Sequence, residues 1–174
     1  MNLSVVIPCY NEEESLRETH RRVKAACDAV HIGSYEIILV NDGSKDGTLS
    51  IMKDLLTSDP CLVIVDLSRN HGHQLTLTAG LAHAKGDYIF ILDADLQDPP
   101  ELLGPMLARA KAGIDVVYGK REVREGESAF KLATADAFYN VLSYLSDIPI
   151  PKDVGGFRLI TRRVVDQFLA MPEQ

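Results

Sequence analysis

Short apolar runs alternate with amphipathic stretches four times between Leu3 and Tyr118, and few folds accept that rhythm. Leu3–Pro8 is a β-rich run ending at a proline. Glu36–Val40, Leu62–Leu67, Asp87–Leu92 and Ile114–Tyr118 are further runs of strand length. Between the first two, Glu12–Val30 spaces Leu16, Val23, Ala26, Cys27 and Val30 at helical intervals behind three glutamates, which suit a helix N-terminus. Asp46–Thr57, His73–Lys85 and Pro99–Ala112 read as three more helices, the last opened by Pro-Pro-Glu. The pattern predicts an α/β fold with a mostly parallel sheet flanked by helices. Ligands of such sheets bind outside the carboxyl ends of the strands. Polar clusters fall at those ends: Pro8–Glu12, Asn41–Ser44, Asp66–Asn70, Asp93–Asp95 and Gly119–Arg121.

Beyond Arg121 the rhythm changes. Glu122–Ser128 reads as a charged loop and Ala129–Ser146 as a helix that Pro149–Pro151 ends. Gly155–Thr161 reads as a strand and Arg162–Ala170 as a last helix. The apolar residues of 129–146 suit either a core-facing helix or a face lying near lipid. With 174 residues the chain fits one domain over 1–174, large enough to need no disulfide or metal staple.

Charge and cysteine usage exclude several classes. The net charge of −7 and a pI near 5.2 argue against a generic nucleic-acid binder, which needs clustered Lys and Arg. Cys9, Cys27 and Cys61 lie far apart without metal-ligand spacing and read as free thiols of a reducing compartment. Met1 is followed almost directly by a strand-like run, which argues against a secretory leader, and no apolar run approaches the roughly 18 residues of a membrane helix. The first strand runs into Pro8–Glu12 rather than GxGxxG, and no GxxxxGK[ST] is present. Both absences argue against a dinucleotide dehydrogenase and a P-loop NTPase.

Asp93-Ala94-Asp95 carries the strongest chemical signal. Carboxylates at i and i+2 share one side of an extended chain. At the end of a buried strand they repel unless a cation lies between them or one is protonated. Oxygen ligands suit Mg²⁺ or Mn²⁺, and Gln97 could add a carbonyl. Asp42, after the second strand, suits either a cap for the next helix or a contact to a base or ribose. His71 and His73 read as helix-cap or loop residues, because no third soft ligand accompanies them.

Four segments taken together resemble family 2 glycosyltransferases of the GT-A fold: Val5–Glu12, Val40–Thr48, Ser68–Gly72 and Asp93–Pro100. Tyr118–Arg121, Arg124–Ser128 and Asp153–Leu159 narrow the similarity to the dolichol-phosphate mannose synthase and bactoprenol glucosyltransferase branch. The resemblance implies inverting transfer of a hexose from a nucleotide-sugar, UDP- or GDP-linked, to a polyprenyl phosphate at the cytoplasmic face of a membrane. It places Pro8, Tyr10, Glu12, Asp42 and Asp93 at the nucleotide. It places Asp93, Asp95 and Gln97 at the metal and Arg121 and Lys131 at the acceptor phosphate. Asp95, Asp153 and Arg158 become the candidate catalytic residues, and a homo-oligomer is compatible with this reading.

Two departures stand out. Where the branch usually carries an acid before Phe-Arg-Leu, this chain has Gly156, and the nearest carboxylate is Asp153. The chain also ends before the membrane helices common in the branch, which reads as a catalytic-domain fragment. The rival expectations are a non-lipid glycan acceptor on the same fold and a nucleotide-sugar-binding protein without activity.

Overall fold

The computed structural model describes residues 2–120 and 154–171. The chain divides into two compact units, Met1–Tyr118 with Gly156–Gln174, and Gly119–Gly155. The expected loop 122–128, helix 129–146 and break at 149–151 lie outside the described residues, as do Arg121, Lys131 and Asp153.

Six strands form one sheet in the order β3-β2-β1-β4-β6-β5. They are β1 (Asn2–Cys9), β2 (Ser34–Asn41), β3 (Leu62–Asp66), β4 (Tyr88–Ile91), β5 (Val116–Lys120) and β6 (Val154–Thr161). β1 pairs in parallel with β2 and β4, and β2 in parallel with β3. β6 runs antiparallel to β4, with Arg158 opposite Ile91, so the sheet is mostly parallel as expected. The helices are α1 (Leu16–Ala29), α2 (Thr48–Ser58), α3 (His73–His83), α4 (Leu103–Lys111) and α5 (Arg162–Leu169).

β1 is buried from Leu3 to Cys9, which explains its unbroken apolar run: helices cover both faces of the sheet. Leu3, Val5 and Ile7 point to one side and join Leu16, Val23 and Cys27 of α1, Met52 of α2 and Leu107 of α4. Val6 points to the other side with Ile38 and Val40 and meets Leu77 and Leu81 of α3 and Val165 of α5. Period-two alternation along the central strands therefore sorts two apolar layers. Gly80 lets α3 sit close against the sheet, since a Cβ there would lie 2.4 Å from Val6 Cγ1. Across the β4–β6 seam, the rings of Phe90 and Phe157 meet edge to face at 5.3 Å.

Two helix starts differ from the sequence reading. α1 begins at Leu16 rather than Glu12, because the Glu12 carbonyl accepts the Ser15 and Leu16 amides in a turn that leaves residues 10–15 outside the helix. The expected helix from Pro99 opens with a 3-10 turn, Pro100–Leu102, before α4. The cysteines are free as expected, with Cys9 and Cys27 buried. Among the described residues, no helix is long and apolar enough to cross a membrane.

Candidate active site

The carboxyl ends of β1, β2 and β4 open into a cleft of about 330 Å³, beside β1 where the strand order reverses. Pro8, Tyr10, Glu12, Asp42, Asp93 and Asp95 line it, so six of the residues singled out in the sequence converge there. Gln97 and Arg158 are not among the lining residues. Gln97 follows Asp95 in a tight turn, and Arg158 stands on β6 with its Nε buried and without a hydrogen-bond partner among the described residues.

Each wall is built from backbone needs. Asn11 takes φ +56, in the left-handed region that asparagine tolerates better than most residues. It donates its amide to Ser44 Oγ at 3.1 Å and accepts the Lys45 amide on Oδ1 at 2.8 Å. These bonds tie the loop after β1 to the loop after β2. The Glu12 amide donates to Thr48 Oγ1 at 2.8 Å, and its carboxylate accepts the Ser15 hydroxyl at 2.6 Å. At the end of β4, the Gln97 amide donates to Asp95 Oδ1 at 3.0 Å in an Asx turn that orients the carboxylate. Leu96 bridges that turn at φ +64, a conformation costing a non-glycine residue about 1 kcal/mol.

Asp42 is buried, and both of its oxygens are engaged. The His71 amide donates to Oδ1 at 2.7 Å and the Gly72 amide to Oδ2 at 3.0 Å. The carboxylate therefore holds the loop that enters α3 and does not cap α2, the next helix in the chain. Each oxygen retains a lone pair that a ligand hydroxyl could use. Gly43 makes the approach feasible: its φ is +63, and a Cβ would lie 2.5 Å from the Arg69 carbonyl carbon.

The loop before α3 supplies what the sequence reading missed. Asn70, Gly72, His73 and Thr76 line the cleft, and His73 Nδ1 stands 3.9 Å from Asp93 Oδ1. Gly72 occupies the cap position, so neither His71 nor His73 caps the helix. The available signal was the polar cluster after β3, which runs on into a glycine and a helix.

Glu12, Asp42, Asp93 and Asp95 give the cleft a negative character. Cys9 on its floor registers that field: burial pushes its thiol up most, and Glu12 and Asp93 push it further, so it stays protonated. Among the described residues, no three His, Cys, Asp or Glu side chains gather to enclose a metal ion unaided. Two carboxylates at one strand end do suit a hard cation that completes its shell with water and the oxygens of a bound diphosphate.

Residues 4–169 match the profile of glycosyl transferase family 2. The chain belongs to that family. It is 46% identical over 171 residues to YkcC of Bacillus subtilis, named as an uncharacterized glycosyltransferase, covering 98% of this chain and 53% of the relative. It is 40% identical over 176 residues to a prophage bactoprenol glucosyl transferase homolog of Escherichia coli, covering 100% of this chain and 56% of the relative. The chain thus spans about half the length of these curated relatives. The fold is that of the mannosyltransferase PcManGT from Pyrobaculum calidifontis, solved with GDP-Man and Mn²⁺. The TM-score is 0.65 at 23% identity, covering 95% of this chain and 46% of that one. The chain is thus a family 2 glycosyltransferase with the GT-A architecture.

Proposed function

We propose that this chain is the catalytic domain of a membrane-associated glycosyltransferase. It moves a hexose from a UDP- or GDP-linked donor to a polyprenyl phosphate at the cytoplasmic face, with inversion and with Mg²⁺ or Mn²⁺ as cofactor. The observation that supports this most is the convergence of Asp93 and Asp95 with Pro8, Tyr10, Glu12 and Asp42 in one cleft. The names of the bactoprenol glucosyl transferase relatives support the lipid acceptor, and the GDP-Man and Mn²⁺ of the structural neighbour support the donor class and the cation.

In this reading Pro8, Tyr10, Glu12 and Asp42 hold the base and ribose, and Asp93 and Asp95, with Gln97, hold the cation against the diphosphate. The cation, when bound, offsets the charge that develops on the leaving group. An acceptor phosphate oxygen forms the new bond to the anomeric carbon as the bond from that carbon to the diphosphate oxygen breaks. The electron pair leaves with the nucleoside diphosphate. Arg121 and Lys131 orient the acceptor phosphate, and Arg158 steadies phosphate oxygens with its guanidinium. A phosphate monoester has its second pKa near 6, so the nucleophile is already largely dianionic at neutral pH and needs placement more than proton removal.

Gly156 favours a second reading, binding of a nucleotide-sugar without turnover. A Cβ at this position would lie 3.6 Å from Asp93 Oδ2, so an acid here would face the metal carboxylate, and glycine contributes no side chain there. Calorimetric titration of UDP and GDP, each with and without Mn²⁺, tests the shared part of both readings: one nucleotide binds, and only with the metal. Turnover on a polyprenyl phosphate in detergent separates them. Gly156→Asp is expected to raise turnover, and an unchanged rate would show that the missing acid costs nothing.

A further inference from the structure

The turn that carries Asp93 and Asp95 is held from α1. Between the two carboxylates, Ala94 is buried, and its side chain joins the apolar layer that α1 and α4 cover. Its carbonyl accepts the hydroxyl of Thr19 at 2.8 Å, across 75 residues of chain. Thr19 is a residue of α1 and is itself buried. A helical threonine commonly turns its hydroxyl back to the carbonyl four residues earlier. Here that carbonyl, of Ser15, already accepts the Thr19 amide at 3.0 Å, and the hydroxyl stands 3.1 Å from it. A hydroxyl has one proton to give, and the shorter contact, to Ala94, receives it. Ser15 in turn gives its own hydroxyl to the Glu12 carboxylate at 2.6 Å. One turn of α1 therefore reaches both Glu12 and the strand end that bears the aspartates.

We propose that Thr19 is a positioning residue for the divalent cation: by holding the Ala94 carbonyl, it fixes the backbone that spaces Asp93 and Asp95. This rests on the metal-dependent reading above. The role runs through the main chain and asks nothing of the other partners of either carboxylate. A peptide unit is planar, so a hydrogen bond on the Ala94 oxygen also sets the direction in which the Asp95 Cα leaves it. Beyond that Cα, the Gln97 amide holds Asp95 Oδ1 at 3.0 Å. Without a cation the two carboxylates repel, and the repulsion favours an open turn. The buried Ala94 side chain and the Thr19 bond both oppose that opening. A site kept at its working spacing receives a cation without first reordering, and groups behind the ligands set affinity in this way.

The test is Mn²⁺ binding in the presence of UDP or GDP, followed by the free-ion paramagnetic resonance signal, for the full chain and for Thr19→Val and Thr19→Ser. Ser4→Ala is the control for stability alone: it removes another buried hydroxyl, the one that bonds Glu36 and Gly86 at the far edge of the sheet. Thr19→Val is expected to lose about ten-fold or more in Mn²⁺ affinity, the lower end of what removal of an outer partner costs. Thr19→Ser, which keeps the hydroxyl, is expected to recover most of that loss. Ser4→Ala is expected to melt earlier and to bind Mn²⁺ as the unmutated chain does. Should Thr19→Val fail to fold, Thr19→Ala removes the same hydroxyl without setting a methyl against the carbonyl, and loss of the fold in both overturns a positioning role in favour of a structural one. Undiminished Mn²⁺ affinity in Thr19→Val overturns the proposal and leaves the metal-dependent reading standing. Equal losses in Thr19→Val and Thr19→Ser, or in Thr19→Val and Ser4→Ala, overturn it as well. Failure of the unmutated chain to bind Mn²⁺ with either nucleotide overturns the metal-dependent reading itself, and the proposal with it.

Discussion

The two edges of the sheet use the same kinds of polar residue for opposite ends. At the amino edge they are turned inward. The Ser4 hydroxyl donates to Glu36 at 2.6 Å and accepts the Gly86 amide at 2.8 Å, while Arg162 donates to the carbonyls of Ala84 and Gly86. Nearby, His20 Nε2 meets the buried Asp59 carboxylate at 2.8 Å, and the Cys61 amide donates to its other oxygen at 3.0 Å. At the carboxyl edge Glu12, Asp93 and Asp95 line a cleft, its loops holding Asn11 and Leu96 at positive φ, as the amino edge holds His31. One edge spends its polar groups on closing the fold, and the other points them at a space that a ligand would fill.

The comparison breaks most sharply if the carboxylates of β4 are removed. The pair Asp93→Asn and Asp95→Asn is expected to weaken Mn²⁺-dependent nucleotide binding by about 100-fold or more, several kcal/mol of cation interaction, with the melting temperature held or raised as repulsion is relieved. Calorimetry and thermal unfolding read the two effects.

Glycines on the two edges sharpen the contrast. At Gly86 a Cβ would lie 2.5 Å from the Ser4 amide nitrogen, and at Gly43 it would lie 2.5 Å from the Arg69 carbonyl carbon at φ +63. Each alanine variant is expected to lose about 1–3 kcal/mol in denaturant unfolding. Only Gly43→Ala is expected to lose nucleotide affinity as well, because it displaces the loop that Asp42 clamps. Equal nucleotide affinities in the two variants would erase the functional distinction between the edges.

A smaller effect comes from the amino edge alone. His20→Ala leaves Asp59 Oδ2 without its partner and is expected to cost about 1–3 kcal/mol, with ligand binding intact. Asp59 also sets a pH dependence. Burial raises its pKa, but the Cys61 amide, His20 and Lys24 together outweigh burial and hold it below the usual carboxylate range. A lowered native pKa gives stability that is complete above the unfolded value of about 3.9 and is lost as pH falls through the native value. The melting temperature is therefore expected to drop below about pH 4, and less steeply in Asp59→Asn.

The sheet was legible in the sequence because β1 and β2 are buried on both faces and so read as unbroken apolar runs. The convergence of Asp42, Asp93 and Asp95 was legible because each directly follows such a run. Other features were not. The start of α1 is displaced because the Glu12 carbonyl closes a turn on Ser15 and Leu16, and acidic residues suit a pre-helical turn as well as a first helical one. His73 reads as a helix-cap or loop residue because its neighbour Asp93 comes from another strand. Asp42 allowed two readings, and its actual partners, the His71 and Gly72 amides, belong to a loop that local pattern cannot bring near.

Gly80 turns α3 into a lever. Contact with Val6 falls seven residues from His73, roughly 10 Å along the helix at 1.5 Å per residue. With no Cβ to act as a cushion, the helix backbone rests directly on Val6 and Val40, and α3 carries His73 as its first residue. A methyl group added at position 80 would touch nothing in the cleft, yet it would meet Val6 and Val40, and the helix that carries His73 would have to shift to admit it. The chemistry of the cleft is in that sense aligned from the interior, and sequence drift beneath the helix can detune it without altering any residue that meets the substrate.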